Sequence, residues 1–270
     1  METKAQFIAK QIRKYYDGKI DVAIVLGSGL SKFTNQLDVI CEIPYSKIKV
    51  LPKVTVKGHE GKFVIGKISN KVVLVLNGRF HLYEGNSALN CVLNIWALKF
   101  LDVKNLILTT ACGAINESFK PSEMMVMLDQ INLTGTSPLI ELNRYESGNK
   151  FISMLNPYNL DFISKFCEIA KTNKIKIQKG TFLQVLGPQY ESKAEIEAYR
   201  ILGADAVSMS TGIETIMANY LNIKVLGISC ITNKTGKNAS ILTHEEVLEN
   251  SNKILKNFNI IIKEFIKNLK

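Results

Sequence analysis

The sequence predicts a single-domain α/β protein spanning residues 1–270, with a mostly parallel sheet covered on both faces by helices. Three observations carry that expectation. Apolar runs of strand length alternate with segments whose apolar residues recur at three- and four-residue steps. Hydrophobic residues make up 46% of the chain and charged residues 21%, an ordinary globular balance. No internal repeat, low-complexity tract or linker divides the 270 residues.

In chain order, Met1 to Tyr16 is a charged, helix-like stretch. Asp21 to Leu26 is a buried-strand pattern that ends in Gly27-Ser28-Gly29. Gly61 to Gly66 and Lys71 to Leu76 are neighbouring strands around a Ser69-Asn70 turn. Ala88, Leu89, Val92, Leu93, Trp96 and Phe100 mark one helix face. Asn105 to Thr109 is a strand leading into a small-residue turn, Ala111 to Ala114. Gly135 to Leu160 is the least patterned stretch and reads as a long surface loop. Then come a helix around Asp161 to Thr172, a strand Gly180 to Leu186, a helix Ser192 to Leu202, a strand Ala206 to Ser208, a helix Thr211 to Leu221 and a strand Lys224 to Ser229. Val247, Ile254, Phe258, Ile261 and Phe265 line one face of a C-terminal helix.

Composition narrows the function classes. The formal charge is +10, but 30 of the 34 basic residues are lysines spread along the chain, which reads as a solvated surface and not a nucleic-acid face. Small anionic substrates suit such a charge. No apolar run reaches the ~18 residues a membrane helix needs, and residues 1–16 hold no apolar signal core. Cys41, Cys91, Cys112, Cys167 and Cys230 are scattered without a CxxC pair, as in a protein of the reducing cytoplasm. There is no HExxH, no His/Cys cluster and no GxSxG elbow, so the sequence offers neither a metal site nor a serine nucleophile.

The candidate chemistry sits in loops after strands, where ligands of α/β sheets bind. Gly27-Ser28-Gly29 is an anion-binding turn or simply a tight turn. In Gly78 to Gly85, Arg79, His81 and Tyr83 alternate, and an arginine fork beside an imidazole suits a phosphate. Gly187 to Glu191 offers an aromatic face and a carboxylate, and Thr232 to Gly236 a polar loop with an amide. Together they can read the edge of a heterocycle. Ser192/Glu195, Thr211/Glu214 and Thr243/Glu246 have the spacing of helix capping boxes. Ser210, just before the second, is either a phosphate ligand or part of that cap. The residues alone point to an α/β enzyme that binds an anion and a polar ring.

Taken together, the segments VLGSGL, GHEGKFVIG, GRFHLYEG, TTACGAIN, DQINLTG, GPQYES, LGADAVSMST, ITNKTG and HEEVL resemble, in order, the trimeric low-molecular-mass purine nucleoside phosphorylase family. The resemblance implies a mixed central sheet with a distorted barrel, flanked by helices. It implies reversible phosphorolysis of 6-oxopurine nucleosides to a free base and (deoxy)ribose 1-phosphate in purine salvage, by a cytoplasmic homotrimer. Phosphate would be a co-substrate and no cofactor or metal would be needed. It places phosphate on Ser28, His59, Arg79, His81, Ala111 and Ser210, and ribose on Tyr83, Met209 and His244. The base falls to Tyr190, Glu191 and Asn233, with Phe151 lent by a neighbouring subunit. Asn233, Glu191 and His81 become the catalytic set. The chain departs from the family at Tyr190 (usually Phe), Thr110 and Cys112 (Asn and Ala), Gln130 (His) and Ser208 (Gly). Methylthioadenosine phosphorylase shares the implied fold, but typically lacks Glu191 and carries Asp at the Asn233 position.

Overall fold

The computed structural model describes residues 3–56, 60–142, 145, 151–236 and 244–269, the last without the side chains of 244–249, 251 and 252. Helix α1 (Lys4–Arg13) starts at a capping box between Thr3 and Gln6 and buries Ala5, Ile8, Ala9 and Ile12. Strand β1 (Val22–Val25) is buried throughout. Strands β2 (Asp38–Pro44), β3 (Lys62–Ile68) and β4 (Lys71–Asn77) follow, then helices α2 (Ala88–Cys91) and α3 (Leu93–Phe100). Next are β5 (Asn105–Ala114), β6 (Met124–Asn132), α4 (Pro138–Leu142), α5 (Leu160–Thr172), β7 (Ile177–Gln184) and α6 (Lys193–Ile201). The chain closes with β8 (Ala206–Ser208), α7 (Gly212–Tyr220), β9 (Lys224–Lys234) and α8 (His244–Lys267).

The nine strands form one sheet in the order β2-β3-β4-β1-β5-β8-β7-β6-β9, and β9 also pairs with β5. That pairing closes β5, β8, β7, β6 and β9 into a barrel, leaving β1 to β4 as an extension from β5. The sheet is mixed rather than mostly parallel. The β2–β3, β3–β4, β5–β8 and β6–β9 pairs are antiparallel. The β1–β4, β1–β5, β5–β9, β6–β7 and β7–β8 pairs are parallel.

Four further expectations change. Ala111 to Ala114 is not a turn: β5 runs through it because β9 supplies ladder partners as far as Gly113↔Asn233 and Ala114↔Lys234. For the same reason Thr232, Asn233 and Lys234 are strand, not loop. The helix over 88–100 breaks at Val92, which leaves helical geometry (φ −107°, ψ 12°). Part of the 135–160 loop is helical, as α4.

The core explains the rest. Phe33, Phe63, Trp96, Phe166, Phe182, Phe258 and Phe265 are fully buried. Phe258 of α8 meets Phe33 edge-on at 5.5 Å. A second cluster of Ile115, Leu183, Val185, Ile196, Ala204 and Val207 packs with Met209. Between β1 and β5, Thr109 Oγ1 donates to the Val25 carbonyl (2.8 Å) and accepts the Gly27 N–H (2.9 Å). This fixes the turn after β1 against β5.

Gly27 has no room for a side chain, since a Cβ there would meet the Thr110 Cα at 2.8 Å and the Thr109 carbonyl oxygen at 3.0 Å. Both are backbone atoms of a central strand and cannot move aside. Gly27→Ala should therefore destabilise the protein by about 1–3 kcal/mol, in the range of core overpacking. Urea unfolding at fixed ligand concentration measures it.

Candidate active site

The turns after β1 and β4, the far part of β5, the exit of β8 and the far part of β9 meet in one open cleft of about 700 Å³, counting the part open to solvent. Parallel pairing produces this convergence, because β1, β4, β5 and β9 all end on the same side. Ser28, Arg79, His81, Tyr83, Ala111, Tyr190, Glu191, Met209, Ser210 and Asn233 all line it, as the sequence motifs anticipate.

One end is built for an anion. Arg79 follows β4 after Gly78, whose φ of 126° turns the chain inward. Its guanidinium is only 3% exposed. Nη1 donates to Ser210 Oγ at 3.1 Å and Nε lies 3.4 Å from Glu214 Oε1. Neither Nη2 nor Nε has a hydrogen-bond partner among the described residues, the contact of Nε with Glu214 being an ion pair. A buried guanidinium N–H left unmade is costly, and at a cleft lined by hydroxyls the fitting partner is an anionic oxygen.

A hydroxyl chain extends from this arginine. Ser210 Oγ lies 3.1 Å from Thr110 Oγ1, and Thr110 Oγ1 lies 3.1 Å from Ser208 Oγ. Ser208 Oγ donates to the Ala111 carbonyl at 2.8 Å. Arginine only donates and a carbonyl only accepts, so a direction from Arg79 to Ala111 satisfies every member. Thr110 and Ser208, two departures from the family pattern, are thus parts of one network. Another departure, Gln130, lies away from the cleft. Its Nε2 donates to the Gly212 carbonyl (3.2 Å) and its Oε1 accepts from Tyr158 (3.1 Å), tying β6 to the start of α7.

The capping box expected at Thr211 and Glu214 is not formed. Thr211 has φ 81° and makes no side-chain cap. Gln184 Oε1 accepts the Ile213 N–H instead, at 2.9 Å. Glu214 is drawn to Arg79, a stronger partner than a backbone N–H. The Ser192/Glu195 box is formed at α6. The Thr243/Glu246 box falls outside the described residues.

His81 Nδ1 lies 2.9 Å from Glu84 Oε2, which also accepts the His81 backbone N–H at 2.8 Å. Burial would raise the Glu84 pKa, but bonds from His81 and Thr55 outweigh it and hold the carboxyl at about 2. An ionised carboxylate only accepts, so Nδ1 carries the proton. Burial, helped by Arg79, holds the imidazole pKa below the usual histidine value despite Glu84. In the neutral ring Nε2 is then an acceptor, suited to a P–OH group. Only the imidazolium could donate from Nε2 as well. Tyr83 stacks on His81 with ring centroids 4.6 Å apart.

The other end suits a polar ring. Asn233 faces Gly113 across the β5–β9 pair, and a Cβ on Gly113 would sit 3.1 Å from Asn233 Nδ2. The Thr232 hydroxyl is 2.9 Å from Asn233 Oδ1 and Asn233 Nδ2 donates to the Lys234 carbonyl at 3.3 Å. Asn250 of α8 braces the strand by donating to the Thr232 carbonyl at 2.8 Å. Burial raises the Glu191 pKa. Tyr190 is half-exposed, at 48%. Met209 lines the cleft against Gly187, where it would collide with any Cβ.

Two candidate side chains fall outside what the structure describes, and one described candidate does not line the cleft. His59 lies outside the described residues. His244 begins α8, and its side chain is not described. Phe151 is 94% exposed on the isolated chain and does not line the cleft. Sequence reasoning missed Thr110 and Ser208 as a network, and Glu84 and Glu214 as partners of the cleft's two basic side chains. Their signal was spacing: Glu84 stands three residues after His81, and Glu214 four after Ser210.

Residues 21–267 match the family model of the phosphorylase superfamily. The chain is 36% identical over 270 residues to purine nucleoside phosphorylase 1 of Geobacillus stearothermophilus, covering 100% of this chain and 97% of that protein. It is 35% identical over 252 residues to purine nucleoside phosphorylase of Bos taurus, covering 90% and 87%. A crystal structure of schistosoma purine nucleoside phosphorylase with hypoxanthine superposes with a TM-score of 0.89 at 29% identity over the whole of both chains. A structure of the Schistosoma mansoni enzyme with adenosine gives 0.87 at 30% identity, covering 98% and 97%.

Two outcomes follow from the anion end. Arg79→Ala should weaken binding of inorganic phosphate by about 1.5–3 kcal/mol, the size of one charge-assisted contact, measured by titration calorimetry on the folded variant. Glu84 has a depressed pKa, so its stabilisation is complete above the ordinary glutamate range and is lost as pH falls toward 2. Glu84→Gln should flatten that part of the acid-unfolding curve.

Proposed function

The chain belongs to the phosphorylase superfamily, its activity is that of a purine nucleoside phosphorylase, and we propose that it works on 6-oxopurine nucleosides, inosine, guanosine and their deoxy forms, in purine salvage. The observation that carries this reading is the pairing of two unlike ends in one cleft. A buried arginine with an unfilled Nη2 stands at one end, and a glutamate with an asparagine at the other.

Arg79, Ser210, Ser28, His81 and the main chain at Ala111 hold and orient phosphate, with His59 as a further ligand. Tyr83, Met209 and His244 meet the ribose. As the glycosidic bond breaks, the ribosyl group becomes cationic and the purine leaves with negative charge. Phosphate held on the anomeric carbon's side stabilises that cation and then bonds to it, so no protein nucleophile is needed. Bound phosphate is the co-substrate, and we expect no cofactor. Asn233 favours protonation of the departing purine at N7, the kind of aid that lowers a barrier by a few kcal/mol. Tyr190 lies against the base.

Ionised Glu191 accepts the N1–H of a 6-oxopurine while Asn233 donates to O6. Adenine presents a lone pair at N1 and a donor at position 6, which leaves both protein groups mismatched. We place the enzyme in a cytoplasmic homotrimer in which Phe151 reaches a neighbour's base site. Its exposure (94%), with that of Leu155 (81%) and Ile140 (66%), supports that assembly.

The preference is measured as kcat/KM, because a relative's crystal with adenosine concerns binding by that protein. Inosine should exceed adenosine by at least ~100-fold, about two lost hydrogen-bond matches. Asn233→Asp should narrow the ratio, since Asp accepts from a 6-amino group. Equal wild-type efficiencies, or a ratio unmoved in the variant, would overturn this reading of the base. The pH dependence follows from burial of Glu191. Efficiency with inosine should fall as pH drops through a pKa above the ordinary glutamate value, and Glu191→Gln should remove that limb while lowering the plateau.

A further inference from the structure

Glu214 stands where the sequence places a helix cap, yet its carboxylate serves no cap. It is 4% exposed, with Oε1 3.4 Å from Arg79 Nε and Oε2 without a hydrogen-bond partner among the described residues. The guanidinium's Nη1 is taken by Ser210, and buried Nη2 has no partner among the described residues. The carboxylate therefore pairs with the cation proposed to receive the anion. Both substrate phosphate and product sugar phosphate occupy this place, so an anion trap that held the first too tightly would also hold the second. A cation whose charge is offset can still direct hydrogen bonds without trapping.

We propose that Glu214 is a positioning residue that fixes the Arg79 guanidinium through Nε and offsets its charge, so that phosphate is held by directed hydrogen bonds and the sugar phosphate is released readily. The inference rests on the phosphorolysis reading of the cleft. It makes Glu214 a determinant of anion affinity, not of base recognition.

The test measures inorganic phosphate binding by calorimetry on the full chain, with steady-state kinetics alongside. Glu214→Gln keeps an acceptor near Nε but removes the charge. It should bind phosphate at least about 3-fold tighter, leave the inosine KM within about twofold, and lower kcat as product release slows. Arg79→Gln alone strands the carboxylate facing the anion and should lose most phosphate binding. Adding Glu214→Gln to it should recover at least about 3-fold of that loss. A folded Glu214→Gln protein that binds phosphate equally or more weakly overturns the proposal, as does a double variant no better than Arg79→Gln. Should the single variant fail to fold, the double variant decides, because it removes both buried charges together. A wild type that binds phosphate but cleaves no nucleoside would sink the functional reading and leave the charge argument standing. A wild type that binds no phosphate overturns both.

Discussion

The structure is organised around one buried cation. Four arginines occur in the chain, and Arg79 is held at 3% exposure at the end of a central strand. Burying a guanidinium is tolerable only when its N–H groups and its charge are answered. Ser210 answers one N–H, Glu214 pairs with the charge at Nε, and buried Nη2 is left without a partner among the described residues. The strands that end beside it, the strained Thr211 at the start of α7 and the hydroxyls of Thr110 and Ser208 all lie within this arrangement.

The barrel seam connects that cation to the opposite end of the cleft. Ala111 sits in β5 on the hydroxyl chain from Arg79, and Gly113, two residues later, lies across from Asn233 in β9. A register shift between Cys112 and Gly113 separates them. One strand thus sets the separation between the proposed anion and base subsites. A nucleophilic phosphate and a departing purine must lie on opposite sides of one anomeric carbon, so their spacing is a geometric requirement of the reaction. Tyr83 and Met209 line the same cleft.

The legibility of these features in the sequence follows from their physics. Strands buried on both faces, such as β1 and β4, read as unbroken apolar runs. The edge strand β2 is mostly exposed, so it carries no such run and escaped the sequence pattern. The second half of β6 is exposed or half-buried, and that strand escaped too. The far halves of β5 and β9 contain small and polar residues that locally resemble loops. They are strands because each supplies the other's ladder, a non-local fact. The cleft-lining residues were legible because they cluster in short motifs. Glu214 was visible but misassigned, since the capping spacing from Thr211 is local while its actual partner, Arg79, lies far away in the chain.

The central claim is that phosphate held at Arg79 is the nucleophile at the anomeric carbon. The most direct measurement is to incubate the full chain with inosine, with and without inorganic phosphate, and to identify both products. The account predicts hypoxanthine release only when phosphate is present, with the sugar recovered quantitatively as ribose 1-phosphate. Hypoxanthine released at the same rate without phosphate, accompanied by free ribose, would contradict it.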